Sequence, residues 1–214
     1  MNAAIKICGI TSVTDARAAV ECGAEYLGLI FVEQSARKVS QSLACEIAAS
    51  VKGQAKLVGV FMNAPAQQIV STFSLVGLDF AQYHGQESPA FVKSIGVPAI
   101  KVFELSDLFS WENVEHYLDC AQFFLLDRPK GLHCRDWLDS ALATANAAPA
   151  HLPPYFFAGG LNPDNVGMVI NRLKKPFYGI DVASGVETEP GIKDLKKLKR
   201  FCNIVQEEAS KCGH

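Results

Sequence analysis

Cys8, Arg37, His84, Asp127 and Asp181 each stand at the end of a short apolar run or in the segment that follows one. A thiol and a carboxyl group so placed can take and give protons without a metal, and an arginine can grip a carboxylate through parallel N–H bonds. Asp127 closes the run Phe123-Phe124-Leu125-Leu126. Strand alternation puts Phe123, Leu125 and Asp127 on one face, where apolar walls are expected to raise the pKa of the carboxyl. By the same rule Lys6 shares a face with Cys8, and Gly179 with Asp181. A productive thiolate and carboxylic acid would run against the free values of ~8.5 and ~3.9, so the environment must work on both. Each residue also has a plainer reading. Cys8 suits a small core position, His84 before Gly85 suits a hydrogen-bonded turn, and Arg37 beside Lys38 suits solvated surface.

Two glycine-bearing segments add a second kind of chemistry. Gly159-Gly160-Leu161 leads into Asn162-Pro163, and Ser184-Gly185-Val186-Glu187 follows the last apolar run. Glycine lets backbone N–H groups approach a ligand closely, and a helix start adds a positive dipole end, so phosphate is the expected guest. Gly160 and Gly185 are expected where a side chain would collide with that ligand.

The elements that must position these residues recur along the whole chain. Runs rich in Ile, Val, Leu and Phe occur at Ile5 to Cys8, Tyr26 to Val32, Lys56 to Met62, Phe80 to His84, Ala99 to Glu104, Phe123 to Asp127, Tyr155 to Ala158, and Tyr178 to Val182. Segments of helical spacing lie between them. Ser12-x-x-Asp15 has capping-box form, Ser88-Pro89 and Asn162-Pro163 read as a cap before a first-turn proline, and Pro190-Gly191 precedes the last helix. In that helix Ile192, Leu195, Leu198, Phe201 and Val205 are expected on one face, with Lys and Arg on the solvated one. Eight β→α units without a linker predict an α/β chain with parallel pairing over residues 1–214, as one domain. A doubly wound open sheet shares the alternation. The glycine segments after strands seven and eight, where barrels recurrently bind phosphate, decide for a (β/α)8 barrel.

Composition agrees. The 214 residues carry 20 Lys+Arg and 22 Asp+Glu, with 49% hydrophobic, which fits a globular protein and not a disordered one. The near-balanced charge gives no electrostatic reason to expect nucleic acid or an anionic membrane. No apolar stretch approaches the ~20 residues that span a bilayer, and the first residues do not form a secretory signal. Seven cysteines, at 8, 22, 45, 120, 134, 202 and 212, are odd in number and lack C-x-x-C spacing, which points to reduced thiols in a cytoplasm and away from structural zinc.

From end to end the chain resembles phosphoribosylanthranilate isomerases of tryptophan biosynthesis. The matching stretches are Lys6-Ile7-Cys8-Gly9-Ile10-Thr11, Gly28 to Phe31 with Ser35 to Ser40, Val58 to Phe61, Gln82-Tyr83-His84-Gly85, Phe124 to Asp127, Ala158 to Val166, Gly179 to Glu187, and Pro190 to Asp194. The resemblance implies an Amadori rearrangement of N-(5-phospho-β-D-ribosyl)anthranilate to 1-(2-carboxyphenylamino)-1-deoxy-D-ribulose 5-phosphate. It implies Asp127 as general acid, Cys8 as general base and Arg37 as partner of the anthranilate carboxylate. Gly159, Gly160, Ser184 and Gly185 would hold the phosphate, and His84 and Asp181 would line the same mouth. No cofactor or metal is implied, and the expected assembly is a monomer or homodimer. Other classes compatible with the phosphate segments are another phosphosugar isomerase or epimerase, and a barrel that binds a phosphosugar without turnover. The chain departs from the family in the run Arg128 to Arg135, which has one glycine, and in Ala36 and Lys38, where proline and an aromatic are common. A loop that closes over substrate has therefore changed its flexibility or contacts.

Overall fold

The computed structural model describes residues 3–129, 134–174 and 177–211. Lys130 to His133, within the run that departs from the family, lie outside them, as does Cys212. Eight strands pair in parallel, in sequence order, into a closed barrel: β1 (Ala4–Cys8), β2 (Tyr26–Ile30), β3 (Lys56–Phe61), β4 (Phe80–Tyr83), β5 (Ala99–Glu104), β6 (Phe123–Asp127), β7 (Tyr155–Phe157) and β8 (Phe177–Val182). A helix follows each: α1 (Val13–Glu21), α2 (Gln41–Ser50), α3 (Ala66–Val76), α4 (Pro89–Ile95), α5 (Trp111–Glu115), α6 (Cys134–Asn146), α7 (Val166–Arg172) and α8 (Leu195–Lys211). The expected strands all form, within two residues of their expected ends. No helix among the described residues is long and apolar enough to cross a membrane.

Alternation along the strands divides the apolar side chains between two cores. Leu27, Leu29, Phe124, Leu126, Phe157 and Ile180 face outward and pack under the helices. Val58, Ile100, Val102, Leu125 and Phe156 face the barrel axis. Tyr26, Phe80, Phe123, Phe156 and Tyr178 come from the first or second residues of their strands. Their rings pack 4.7 to 6.4 Å apart, edge-on or tilted, and the Tyr26 and Tyr178 hydroxyls meet at 2.8 Å. This aromatic plug fills the N-terminal end of the barrel and leaves the C-terminal rim for polar groups.

Ser12 and Ser88 cap α1 and α4 through their side chains, accepting from Asp15 N and Phe91 N. Two other start signals are corrected. Asn162 does not cap α7: its Oδ1 accepts from Asp164 N at 2.8 Å, closing an Asx turn, and the helix begins at Val166. The same short side chain serves either purpose, and Pro163 is equally at home in a turn. Pro190-Gly191 does not open α8. It turns an antiparallel hairpin, β9 (Glu187–Glu189) with β10 (Ile192–Lys193), with Gly191 at φ +88. α8 starts instead behind Asp194, whose carboxylate accepts from Lys196 N and Lys197 N. Ile192 and Leu195 are therefore exposed, and the buried face of α8 is Leu198, Phe201, Cys202, Val205 and Ala209.

Candidate active site

β1 and β8 close the barrel with Lys6 beside Asp181 in register. Both side chains point inward, and Lys6 Nζ donates to Asp181 Oδ1 at 2.8 Å in a pair that is almost wholly buried. Cys8 lies one step further along the same face, near enough to Lys6 for each to feel the other's charge. On the neighbouring strand Gly28 stands opposite Cys8, and a Cβ there would come within 2.7 Å of the sulfur. The thiol thus occupies space that a larger residue would fill. Burial raises the Cys8 pKa, with Lys6 the strongest opposing influence and Asp181 adding to the rise. Lys6 is held above the ordinary lysine value, because Asp181 and Cys8 together outweigh its burial.

Asp127 ends β6 at the same rim. Arg128 N donates to its Oδ1 at 2.8 Å. Gly159, at φ +95, makes that possible, since a Cβ there would stand 2.7 Å from Arg128 N. Burial, reinforced by the charges of Asp181 and Glu104, pushes the Asp127 carboxyl up to about 6 against the pull of that N–H. His84 Nε2 lies 3.6 Å from Asp127 Oδ2, an ion-pair distance longer than a hydrogen bond. The charges of Lys6 and Asp181 act on both Cys8 and Asp127.

A cavity of about 220 Å³ adjoins Asp127 and Asp181 and is lined by Gly159, Gly160, Ala183 and Ser184. Gly160 lies at φ +71, a left-handed conformation. After β8 a 3-10 turn runs Ser184–Val186. Gly185 has a reason of its own within the protein. Its missing side chain would meet the Leu161 carbonyl oxygen at 1.8 Å, so the glycine lets the turn after β8 close against the segment after β7.

Arg37 reaches the rim across Gly9, whose Cβ would sit 2.7 Å from Arg37 Cδ. Its Nε and Nη2 already hold Glu187 at 2.7 to 3.0 Å. One two-pronged edge of the guanidinium is therefore used within the protein, and the side chain stays partly exposed. Glu187 is buried and also takes Lys193 Nζ at 2.8 Å. Lys193 in turn donates to the Cys8 carbonyl at 2.6 Å and the Ala183 carbonyl at 3.3 Å. Glu187 is held below the usual carboxylate range, hydrogen bonds from Arg37 and Lys193 outweighing its burial. Sequence reasoning gives no site role to Gly9, Gly28, Glu187 or Lys193. A lysine alternating with isoleucines in Ile5-Lys6-Ile7 is the one local signal for Lys6, since only pairing lets a charge lie inside a barrel.

The profile of the N-(5'phosphoribosyl)anthranilate (PRA) isomerase family matches residues 5–204. N-(5'-phosphoribosyl)anthranilate isomerase of Rubrobacter xylanophilus is 38% identical, covering 95% of this chain and 99% of its own. That of Magnetococcus marinus is 37% identical over the full length of both. The crystal structure of phosphoribosyl anthranilate isomerase from Thermotoga maritima superimposes with a TM-score of 0.84 at 30% identity, covering 96% of this chain and 99% of its own. A phosphoribosyl anthranilate isomerase in complex with reduced 1-(o-carboxyphenylamino)-1-deoxyribulose 5-phosphate superimposes with a TM-score of 0.82 at 30% identity, with the same coverage.

Proposed function

The chain belongs to the N-(5'-phosphoribosyl)anthranilate isomerase family, and from that premise we infer how its rim divides the work. The reaction is the aldose-to-ketose isomerisation of N-(5-phospho-β-D-ribosyl)anthranilate in tryptophan biosynthesis. Asp127 gives its proton to the furanose ring oxygen. The C1–O bond breaks as the anilino nitrogen lends its lone pair to C1, leaving a protonated Schiff base. Cys8, as thiolate, takes the C2 proton; the C2–H pair becomes the C1=C2 bond and the Schiff-base pair returns to nitrogen. The enolamine then tautomerises to the ketose. Cys8 ends with one proton more and Asp127 with one fewer, and exchange with solvent restores both.

A carboxyl lifted to about 6 supports the acid role, since a useful fraction keeps its proton near neutral pH. The observation that carries the reading is a buried Lys6–Asp181 pair that shares β1 with the Cys8 thiol and a cavity with the Asp127 carboxyl. The end edge of Arg37 takes the anthranilate carboxylate, and Gly159, Gly160, Ser184 and Gly185 cradle the phosphate beside Asp181. His84 lines the opposite wall. The proposed setting is a cytoplasmic monomer or homodimer that acts on a small phosphorylated substrate, without nucleic acid, membrane or metal.

Rescue of a tryptophan auxotroph lacking this isomerase tests the assignment. The wild-type chain should restore growth, while Asp127→Asn and Cys8→Ser should not. Purified Cys8→Ser should lose kcat with KM little changed. A Cys8→Ser enzyme with wild-type kcat would make Cys8 a packing residue and sink the mechanism.

A further inference from the structure

Lys6 is a buried cation with two claimants. Asp181 holds its ammonium at 2.8 Å, and Cys8 stands two residues on along β1, on the same inward face and within reach of its charge. The other charges near the sulfur are engaged elsewhere. Lys193, from β10, spends its donors on Glu187 and on the Cys8 and Ala183 carbonyls. Arg37, from the segment after β2, is bound to Glu187. Among the described charged groups near Cys8, Lys6 is the one held by neither Glu187 nor the hairpin that closes the site. Asp181, in contrast, lines the cavity and has a slight opening to solvent, at 8% exposure. A sugar hydroxyl arriving there can donate to the carboxylate and weaken its hold on the ammonium.

We propose that Lys6 is the positioning residue of the base: substrate hydroxyls engaging Asp181 turn the Lys6 ammonium over to the Cys8 sulfur, so that the thiolate forms when substrate binds. The thiol proton leaves to solvent, and the sulfur keeps the electron pair that later takes the C2 proton. In the free enzyme Asp181 competes for Lys6 and its own charge opposes a second anion beside it, so the thiol stays protonated. This keeps a reactive thiolate from standing exposed between turnovers. The inference rests on the reading of Cys8 as base.

Thiolate ultraviolet absorbance, taken as the difference between each protein and its Cys8→Ser counterpart across pH, reports Cys8 alone. In the free enzyme Asp181→Asn should lower the ionisation midpoint by about one pH unit or more, since the ammonium then belongs to sulfur. Lys6→Met combined with Asp181→Asn removes the pair as neutral groups, leaves no buried charge unpaired, and should carry the midpoint back upward. In the wild-type protein, saturating reduced 1-(o-carboxyphenylamino)-1-deoxyribulose 5-phosphate should lower the midpoint. Its phosphate and carboxylate would by themselves raise it, so a fall identifies the handover. The thiol limb of kcat should correspondingly lie below that of kcat/KM. An Asp181→Asn midpoint that stays or rises, or an analogue that leaves it unmoved, overturns the handover. A Cys8→Ser enzyme with full kcat overturns the base reading itself, whatever the midpoints do.

Discussion

Asp127 combines two demands that a surface carboxylate never meets together, a proton held near neutral pH and a position open to substrate. Its side chain keeps 23% of its surface exposed, yet the rim raises the carboxyl to about 6. The rise has a consequence for stability. A carboxyl whose native pKa lies above its unfolded one favours folding only while protonated. Its relative contribution is whole below about pH 4 and is lost as pH rises through about 6. At neutral pH the ionised group therefore costs on the order of 2–3 kcal/mol, about 1.4 kcal/mol for each pH unit between the unfolded and native values. Asp127→Asn keeps an oxygen for Arg128 N and removes that cost. It should abolish ring opening while unfolding at a higher temperature than wild type at pH 7, with the two proteins converging below pH 4. Thermal unfolding across pH checks this, and equal unfolding temperatures throughout would mean that the site does not strain the carboxyl. Asp127 is legible in the sequence because it ends an apolar run. The Lys6 pairing is half legible: strand alternation gives its face, but its partner lies 175 residues away.

At the scale of elements, the strands are readable because burial on both faces demands unbroken runs of Ile, Val, Leu and Phe. The connections after β7 and β8 read less well, since proline, glycine and asparagine punctuate turns, hairpins and helix starts alike. Pro190-Gly191 reads as a helix start because nothing local distinguishes it from a hairpin turn. What makes it a hairpin is Lys193, pulled inward to Glu187 and to the Cys8 carbonyl. The segments after β7 and β8 likewise depend on each other at Gly185. Gly185→Ala would force the 3-10 turn away from the Leu161 carbonyl, which a Cβ would approach to 1.8 Å. KM for the phosphorylated substrate and the inhibition constant of inorganic phosphate should then rise together, by tenfold or more if about 1.4 kcal/mol of binding is lost. Because the thiol and the carboxyl lie on other strands, kcat should change far less. An unchanged KM in a folded Gly185→Ala enzyme would place the phosphate elsewhere.

At the scale of the whole molecule, the site exists only when the barrel is closed. Cys8 and Lys6 come from β1, Asp127 from β6 and Asp181 from β8, and the β1–β8 seam joins the two ends of the chain. A doubly wound sheet would leave that seam open, so the glycine segments that favour a barrel in the sequence also imply the seam on which Lys6 depends. Phosphate binding should therefore report on global folding and not on a local loop. A ligand that binds only the native state stabilises it by about 2.7 kcal/mol when its free concentration is about 100-fold above Kd. For a chain of this size that raises Tm by roughly 5–10 °C. In urea the midpoint should move up with the slope unchanged, because the same surface is exposed on unfolding. Cys8→Ser, which alters the base and leaves the cradle untouched, should show the same shift as wild type. Gly185→Ala, with its affinity down tenfold or more, should keep about half of that shift or less at the same phosphate concentration. Equal shifts in all three proteins would mean that phosphate binds outside the segments after β7 and β8, and no shift in any would remove phosphate from the site.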